Sequence, residues 1–345
     1  MSLRFDLSLP ATIDARIVYL IAFPHSVKAL GLASKQPPLT KSAPYFLEID
    51  TAFAELGQSA IEIDGLPVIM RRQLIDEQVQ SVECSYALRD AFNAESGKLK
   101  RAVNAKLREK VLREAGYSGA FVEEYGIVCL AVDTGPAPDT FVEANRLALT
   151  ALLRSQTLSE TEAEQTLISR ARYSDRDLTI VDWEGAVIID SEADFQSDIE
   201  LLKIGNYQLL RYRLLDRAIE RNLEKVSREL ESKRRLSFSS GVLRQALQQR
   251  LALLLNFEKI EQRLLLIGDW YTAQLYRLIV DEFYIDEWKA AVRGKLDQLE
   301  RITEAVRENF TFSWRQFLDL VELSGWLLLL IGYFVLFILE AGLAK

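Results

Sequence analysis

The strongest constraint on the fold is an uncharged segment, Leu323 to Leu339, that lies between Glu322 and Glu340. Its 17 residues are apolar on every side of a helix, so such a helix has no face that suits water. A helix of this length is about 25 Å long, slightly shorter than a typical hydrocarbon core of about 30 Å. Length alone leaves two alternatives, a membrane span and the buried central helix of a soluble protein.

The surroundings of this segment favour the membrane. Trp314 and Trp326 lie on its entry side, where interfacial aromatic residues are common, and three arginines between residues 301 and 315 favour a cytoplasmic position for the bulk of the chain. We therefore predict a transmembrane tail anchor at residues 322–345, in contact with membrane lipid. The predicted anchor residues are Leu323, Trp326, Leu330, Phe334, Phe337 and Leu339.

Proline distribution divides the remaining chain. All eight prolines lie at or before Pro138, and more than 200 residues without proline suit long helices. Apolar residues at helical spacing begin near Ser197, pause near residues 237–241 and 268–269, and lead into a last helix of nearly 60 residues from about Asp286. We predict a long all-α bundle or stalk at residues 196–321.

A heptad spacing marks the last of these helices. Apolar side chains recur at alternating intervals of four and three residues, which is the seam of a helix that packs along another helix. The partner is either another helix of the same chain or another subunit. Gly325 and Gly332 share one face of the anchor and permit close helix packing in lipid. The predicted self-association residues of a homo-oligomer are Val292, Leu296, Leu299, Val306, Phe310, Gly325 and Gly332.

Strand and helix patterns alternate over residues 1–195, which predicts an α+β or α/β cytoplasmic domain. Arg16 to Phe23 is a buried strand, and Asp64-Gly65 joins the two strands of a hairpin. Residues 119–133 predict a strand region with a bend or turn near Gly126. A helix with Asp139 or Thr140 as N-cap follows, and residues 177–190 predict a final pair of strands.

Few chemical functions are indicated. One histidine and two cysteines cannot assemble a usual zinc site, and a net charge of -8 disfavours broad nucleic-acid binding. Cys84 and Cys129 fit a reducing compartment. The acidic pairs, such as Glu123-Glu124, are interpreted as solvated or capping residues. We predict a protein that is not an enzyme, with no catalytic residue, cofactor or metal.

The closing segment "WRQFLDLVELSGWLLLLIGYFVLFILE", the helical second half and the strand "YGIVCL" (Tyr125 to Leu130) resemble the required-for-meiotic-nuclear-division proteins. Members of that family carry a C-terminal transmembrane helix after a coiled helix, and the mitochondrial members form large oligomers that support translation. Because the chain has no transit-peptide pattern, the resemblance implies a bacterial relative that acts as an oligomeric, non-enzymatic scaffold at the bacterial inner membrane, with its bulk facing the cytoplasm.

Two other interpretations stay open. The outline also resembles magnesium channels of the CorA type, which have two membrane helices joined by a Gly-Met-Asn loop. This chain has one apolar segment, with only Gly332, Tyr333 and Phe334 in place of such a motif, so a channel or transporter component is an alternative. The second open interpretation is an enzyme of unrecognised type.

Overall fold

An eight-stranded sheet organises the first part of the chain. The structure, a computed structural model, describes residues 12–25, 53–134, 138–232, 248, 251–255, 257 and 270–343. The strands are β1 (Ala15–Pro24), β2 (Phe53–Ile63), β3 (Leu66–Ile75), β4 (Val79–Leu88), β5 (Glu123–Leu130), β6 (Arg170–Ala171), β7 (Asp177–Asp182) and β8 (Gly185–Asp190). The helices are α1 (Ser96–Glu114), α2 (Pro138–Ala144), α3 (Arg146–Arg154), α4 (Glu160–Thr166), α5 (Gln196–Ser232), α6 (Trp270–Glu282) and α7 (Ile285–Leu343).

The sheet order is β2-β3-β4-β1-β5-β8-β7-β6, and all neighbours are antiparallel except β5 and β8. β1 lies between β4 and β5, which confirms the buried strand predicted from its continuous apolar run. The hairpin at Asp64-Gly65 is also confirmed. Both turn residues have positive φ, 52° and 77°, as a two-residue turn that matches the twist of the flanking strands requires.

Helices cover both faces of the sheet. Alternate residues of β1, among them Ile17 and Ile21, pack in one core with Val103 and Leu107 of α1. On the opposite face, Ala22 of β1 packs with residues of α5 that include Ile204. The predicted mixed α/β domain is thus a three-layer arrangement with the sheet in the middle.

Two sequence-based details are wrong. No bend or turn occurs at Gly126, because β5 pairs with β1 and with β8 at that residue and continues to Leu130. The single helix predicted after residue 139 is instead two helices. α2 begins at Pro138, and Asn145 separates it from α3. The predicted strand pair at residues 177–190 is confirmed as β7 and β8.

Gly205 of α5 lies at a close contact between two helices. A Cβ atom at this position would lie 2.3 Å from Cγ2 of Ile279 in α6, a distance that real contacts do not reach. The glycine therefore lets α5 and α6 pack on the same side of the sheet.

The structure divides into two compact units at other residues than those predicted. One unit contains Met1–Leu214 and Glu258–Ala290, and the other contains Leu215–Phe257 and Ala291–Lys345. The predicted boundary at residue 195 is too early, because the first half of α5 and all of α6 belong to the unit built around the sheet.

The second unit contains the predicted heptad seam. α7 is a single helix of 59 residues, which confirms the predicted length. Lys295 of α7 contacts Asp216 of α5 at 2.5 Å and Glu220 at 2.8 Å, so the two helices lie side by side within this unit. The seam residues Val292, Leu296 and Leu299 are buried within the chain. Their packing is therefore intramolecular, and these three residues are not available to another subunit as predicted.

Several predicted features lie outside the described residues. They are the helix over most of residues 242–267, the breaks near 237–241 and 268–269, and the side chains of Val306, Phe310, Phe337 and Leu339.

Candidate functional site

The first candidate site is the exposed end of α7. Residues Leu318–Leu336 form a candidate membrane span with a mean hydropathy of 1.8, and none of it is buried. The predicted anchor residues Leu323, Trp326, Leu330 and Phe334 are each more than 60% exposed. A helix at the centre of a soluble core would be covered by its own chain, so this segment suits an apolar partner such as lipid.

Gly325 and Gly332 lie within the same exposed segment. A Cβ atom added at either position would meet no heavy atom within 4 Å. The face that they share is therefore open, as packing against a second helix requires.

The second candidate site is a cavity of about 740 Å³ in the unit built around the sheet, beside the first residues of β5. β8 pairs with β5 only from Gly126 onward, so among the described residues no strand pairs with Glu123 to Tyr125 on that side. The gap is bordered by α1, the end of α3, the turn between β7 and β8, α5, and the turn between α6 and α7.

Two glycines permit close contacts at this gap, Gly185 between β8 and β5 and Gly126 between β5 and α1. A Cβ atom on Gly185 would lie 2.5 Å from the carbonyl oxygen of Gly126. A Cβ atom on Gly126 would lie 3.4 Å from Nζ of Lys100, which is a tight contact with the end of a flexible side chain. The pairing of β5 and β8 at the edge of the cavity thus depends on a backbone contact that a side chain at residue 185 would obstruct.

Two cations of α1 lie at the end of α3. The Nζ atom of Lys100 donates hydrogen bonds to the carbonyl oxygens of Leu152 at 2.9 Å and Leu153 at 2.8 Å. Arg101 donates to the carbonyl oxygen of Ser155. Lys100 is only 3% exposed, and burial lowers the pKa of its ammonium group to about 8. These bonds satisfy helix-end carbonyls that would otherwise lack a partner.

The carboxylates of the cavity already have partners. Arg213 of α5 pairs with Glu123, and Arg108 of α1 pairs with Glu124 at 2.5 Å. Burial raises the pKa of Glu123, and the charge of Arg213 only partly offsets this effect. Glu282 accepts a hydrogen bond from the hydroxyl of Ser169 at 2.5 Å.

Aromatic rings form the rest of the lining. Trp183 lies in the turn between β7 and β8, is 58% exposed, and has the guanidinium of Arg154 at 5.9 Å from its ring centroid. Asp182 holds that guanidinium at 2.7 Å. Tyr284 is 59% exposed and has a φ of 53°, a left-handed conformation that is rare for a bulky residue.

A cluster of buried charges lies elsewhere on the sheet. Nζ of Lys203 in α5 lies 2.8 Å from Glu83 of β4 and 2.9 Å from Glu200 of α5, and all three side chains are less than 10% exposed. Lys203 also donates to Gln73 of β3 at 3.2 Å. This cluster connects α5 to the sheet through charged side chains that are almost fully buried.

The sequence did not indicate the cavity. Its lining comes from separate segments between Tyr19 and Trp288, and its charges are assigned only once the helices are placed. The acidic pair Glu123-Glu124 was interpreted as solvated or capping, but the two residues pair with arginines instead. Within the described ranges, no group of three or more histidine, cysteine or acidic residues could hold a metal ion.

The fold and these sites describe a three-layer α/β domain followed by helices, the last of which carries one candidate membrane span. A family described as "Uncharacterized protein MJ0711, N-terminal domain" matches residues 54–196, from the start of β2 to the start of α5. The matched part includes the cavity residues of α1, β5 and α3.

The chain is also similar to the uncharacterized protein MJ0711 of Methanocaldococcus jannaschii. The two are 29% identical over 193 residues, which cover 55% of this chain and 59% of that archaeal protein. The chain thus matches less than two thirds of this relative. No solved structure matches the chain.

Proposed function

We propose that the protein is a membrane-anchored, non-enzymatic scaffold, which the exposed apolar segment Leu318–Leu336 holds at a lipid bilayer. The observation that carries this proposal is that no residue of that segment is buried. Fourteen large apolar side chains between Leu318 and Leu336 are at least half exposed. Leaving so many in water would cost on the order of tens of kcal/mol, at about 1.5–3 kcal/mol each.

The proposed arrangement places the α/β unit in the cytoplasm, at the inner membrane of a bacterium. Arginines that precede the span support this side, since cytoplasmic flanks are rich in Lys and Arg. The resemblance to the required-for-meiotic-nuclear-division proteins agrees with the same arrangement and with a scaffold role.

The proposed scaffold self-associates through the face of Gly325 and Gly332. Both glycines lie in the exposed segment, where small residues allow two helices to approach closely in lipid. The size of the purified protein in detergent tests this part of the proposal, with Gly325→Leu and Gly332→Leu together expected to reduce it to a monomer. A wild-type protein that is already a stable monomer would exclude the oligomer.

Substitution within the span tests the anchor while the chain keeps its length. Each arginine at the centre of a spanning helix costs about 2.5–3.5 kcal/mol, so Leu327→Arg with Leu328→Arg costs about 5–7 kcal/mol of insertion. We expect this variant to be released from membranes by alkaline carbonate, which does not release the wild type. The control is Leu147→Arg, which changes an exposed leucine of α3 and should stay bound. If the span variant resists extraction as the wild type does, residues 318–336 do not anchor the protein.

A further inference from the structure

The cavity beside β5 is lined by aromatic rings and by two cations, Lys100 and Arg101, that have no ion-pair partner among the described residues. We propose that it binds a mononucleotide-sized ligand, in which a phosphate group is joined to a planar ring. Its volume of about 740 Å³ lies within the range of about 300–1,000 Å³ that is usual for small-molecule sites. This binding would be independent of the membrane anchor.

The phosphate group is assigned to Lys100 and Arg101. Both side chains donate to backbone carbonyls at the end of α3, and neither is paired with a carboxylate in the described part of the chain. A helix C-terminus carries only about half a negative charge, whereas two full positive charges meet it here. A local positive excess therefore remains at the end of α3, and a phosphate can neutralise it there.

The acids of the cavity have partners other than Lys100 and Arg101. Glu123 and Glu124 are paired with Arg213 and Arg108, and Glu184 lies 3.7 Å from Arg154. The fourth acid, Glu282, is held by the hydroxyl of Ser169. Glu184 is the carboxylate whose charge acts on Lys100, yet burial still lowers the pKa of that lysine to about 8. No carboxylate of the described residues lies within ion-pair distance of this ammonium group, so an entering anion would supply that contact.

The planar ring is assigned to Trp183 and Tyr284. Arg154 lies against the Trp183 ring and is fixed in turn by Asp182, so this indole has a defined position although more than half of its surface is exposed. Tyr284 is held at the cavity by a left-handed backbone conformation that is unfavourable for its side chain. Such strain is often found at binding sites, and exposed rings offer stacking surfaces to a base.

Titration of the full-length chain in detergent with AMP, measured by isothermal calorimetry, tests the proposal. Adenosine and inorganic phosphate serve as probes of each half of the ligand. We expect AMP to bind at least about tenfold more tightly than either probe, because only AMP contacts both the cations and the aromatic rings. Equal affinities for AMP and phosphate would overturn the assigned ring site, and equal affinities for AMP and adenosine would overturn the assigned anion site. A lack of AMP binding at millimolar concentration would overturn the whole proposal.

Three variants locate the binding. Arg101→Gln should weaken AMP binding about tenfold or more and leave adenosine binding unchanged, because it removes a charged donor from an exposed position. Trp183→Ala should weaken both by about 5- to 150-fold, and Trp183→Phe should preserve most of the affinity. The matched control is Lys98→Met, which removes an exposed cation of the same helix that does not line the cavity. If Arg101→Gln and Trp183→Ala bind AMP as the control does, the ligand is not held in this cavity.

Discussion

Removal of the Lys203 side-chain charge should destabilise the unit that contains the sheet. Lys203 joins Glu83 and Glu200 in a cluster that has almost no solvent exposure. In Lys203→Met the side chain keeps most of its apolar length, while two carboxylates lose their cation. Breaking a buried ion pair in this way costs about 3–5 kcal/mol.

The assay is thermal unfolding of the full-length protein, followed by tryptophan fluorescence. Trp183, Trp270 and Trp288 belong to the same unit as Lys203, so they report on its unfolding. A loss of 3–5 kcal/mol lowers the midpoint by about 6–20 °C for a unit of this size. The control Lys98→Met breaks an exposed pair with Glu95 and should change stability by less than about 0.5 kcal/mol.

The effect of pH gives the prediction a second test. Burial would raise the pKa of Glu83, but the charge of Lys203 and its hydrogen bond outweigh burial, so the folded pKa lies below 4.5. A carboxylate with a lowered folded pKa stabilises the fold above its unfolded pKa, and this stability is lost as the pH falls through the folded value. In Lys203→Met, burial without a cation raises the pKa of the two carboxylates. They are then protonated as the pH falls, and protonation removes the free-energy cost of burying an unpaired charge.

The difference between wild type and Lys203→Met should therefore be largest near pH 7 and shrink toward pH 4. At the alkaline end, burial lowers the pKa of Lys203, but Glu200 and Glu83 raise it above 10.5. Lys203 therefore stays charged at pH 9 and still contributes to the stability of the folded unit. A difference below about 1 kcal/mol at pH 7, or one that stays constant down to pH 4, would refute the reasoning.

Two further predictions concern the sheet. Gly185→Ala should cost about 1–3 kcal/mol, measured as a lower urea midpoint, because its Cβ atom would lie 2.5 Å from the backbone oxygen of Gly126. The control is Gly294→Ala in α7, where nothing lies within 4 Å of the added Cβ atom, and it should be neutral or stabilise α7 by up to about 1 kcal/mol. An equal loss of stability in both variants would contradict a close contact at Gly185. Burial raises the pKa of Cys84 and Cys129 to about 12, so iodoacetamide at pH 8 should label neither thiol until urea unfolds the protein, as mass spectrometry can show. Rapid labelling of the folded protein would show that these thiols are accessible.

Local signals explain which parts of the fold could be predicted. β1 is a continuous apolar run, the hairpin at Asp64-Gly65 has its own turn signal, and α7 combines a heptad spacing with the absence of proline. Each of these patterns acts over a few neighbouring residues, so the sequence displays it directly.

The parts that could not be predicted depend on distant contacts. The sequence predicts a bend or turn near Gly126. A single sequence does not show that Gly126 pairs with Gly185 of β8 within the sheet. The heptad residues Val292, Leu296 and Leu299 have the same spacing whether they face another subunit or their own chain, and only the structure shows them buried. The cavity follows the same rule, since its walls come together from helices, strands and turns far apart in sequence.

The two buried lysines show why one site is structural and the other is suited to a ligand. Lys203 lies between two carboxylates, which keep its pKa above the ordinary value and hold its charge in place. Lys100 is equally buried, but its partners are neutral carbonyls, and its pKa falls to about 8. An incoming anion adds nothing at Lys203, where the negative charge already exceeds the positive. At Lys100 the same anion supplies the missing counter-charge, so a phosphate would be drawn to the cavity and not to the cluster.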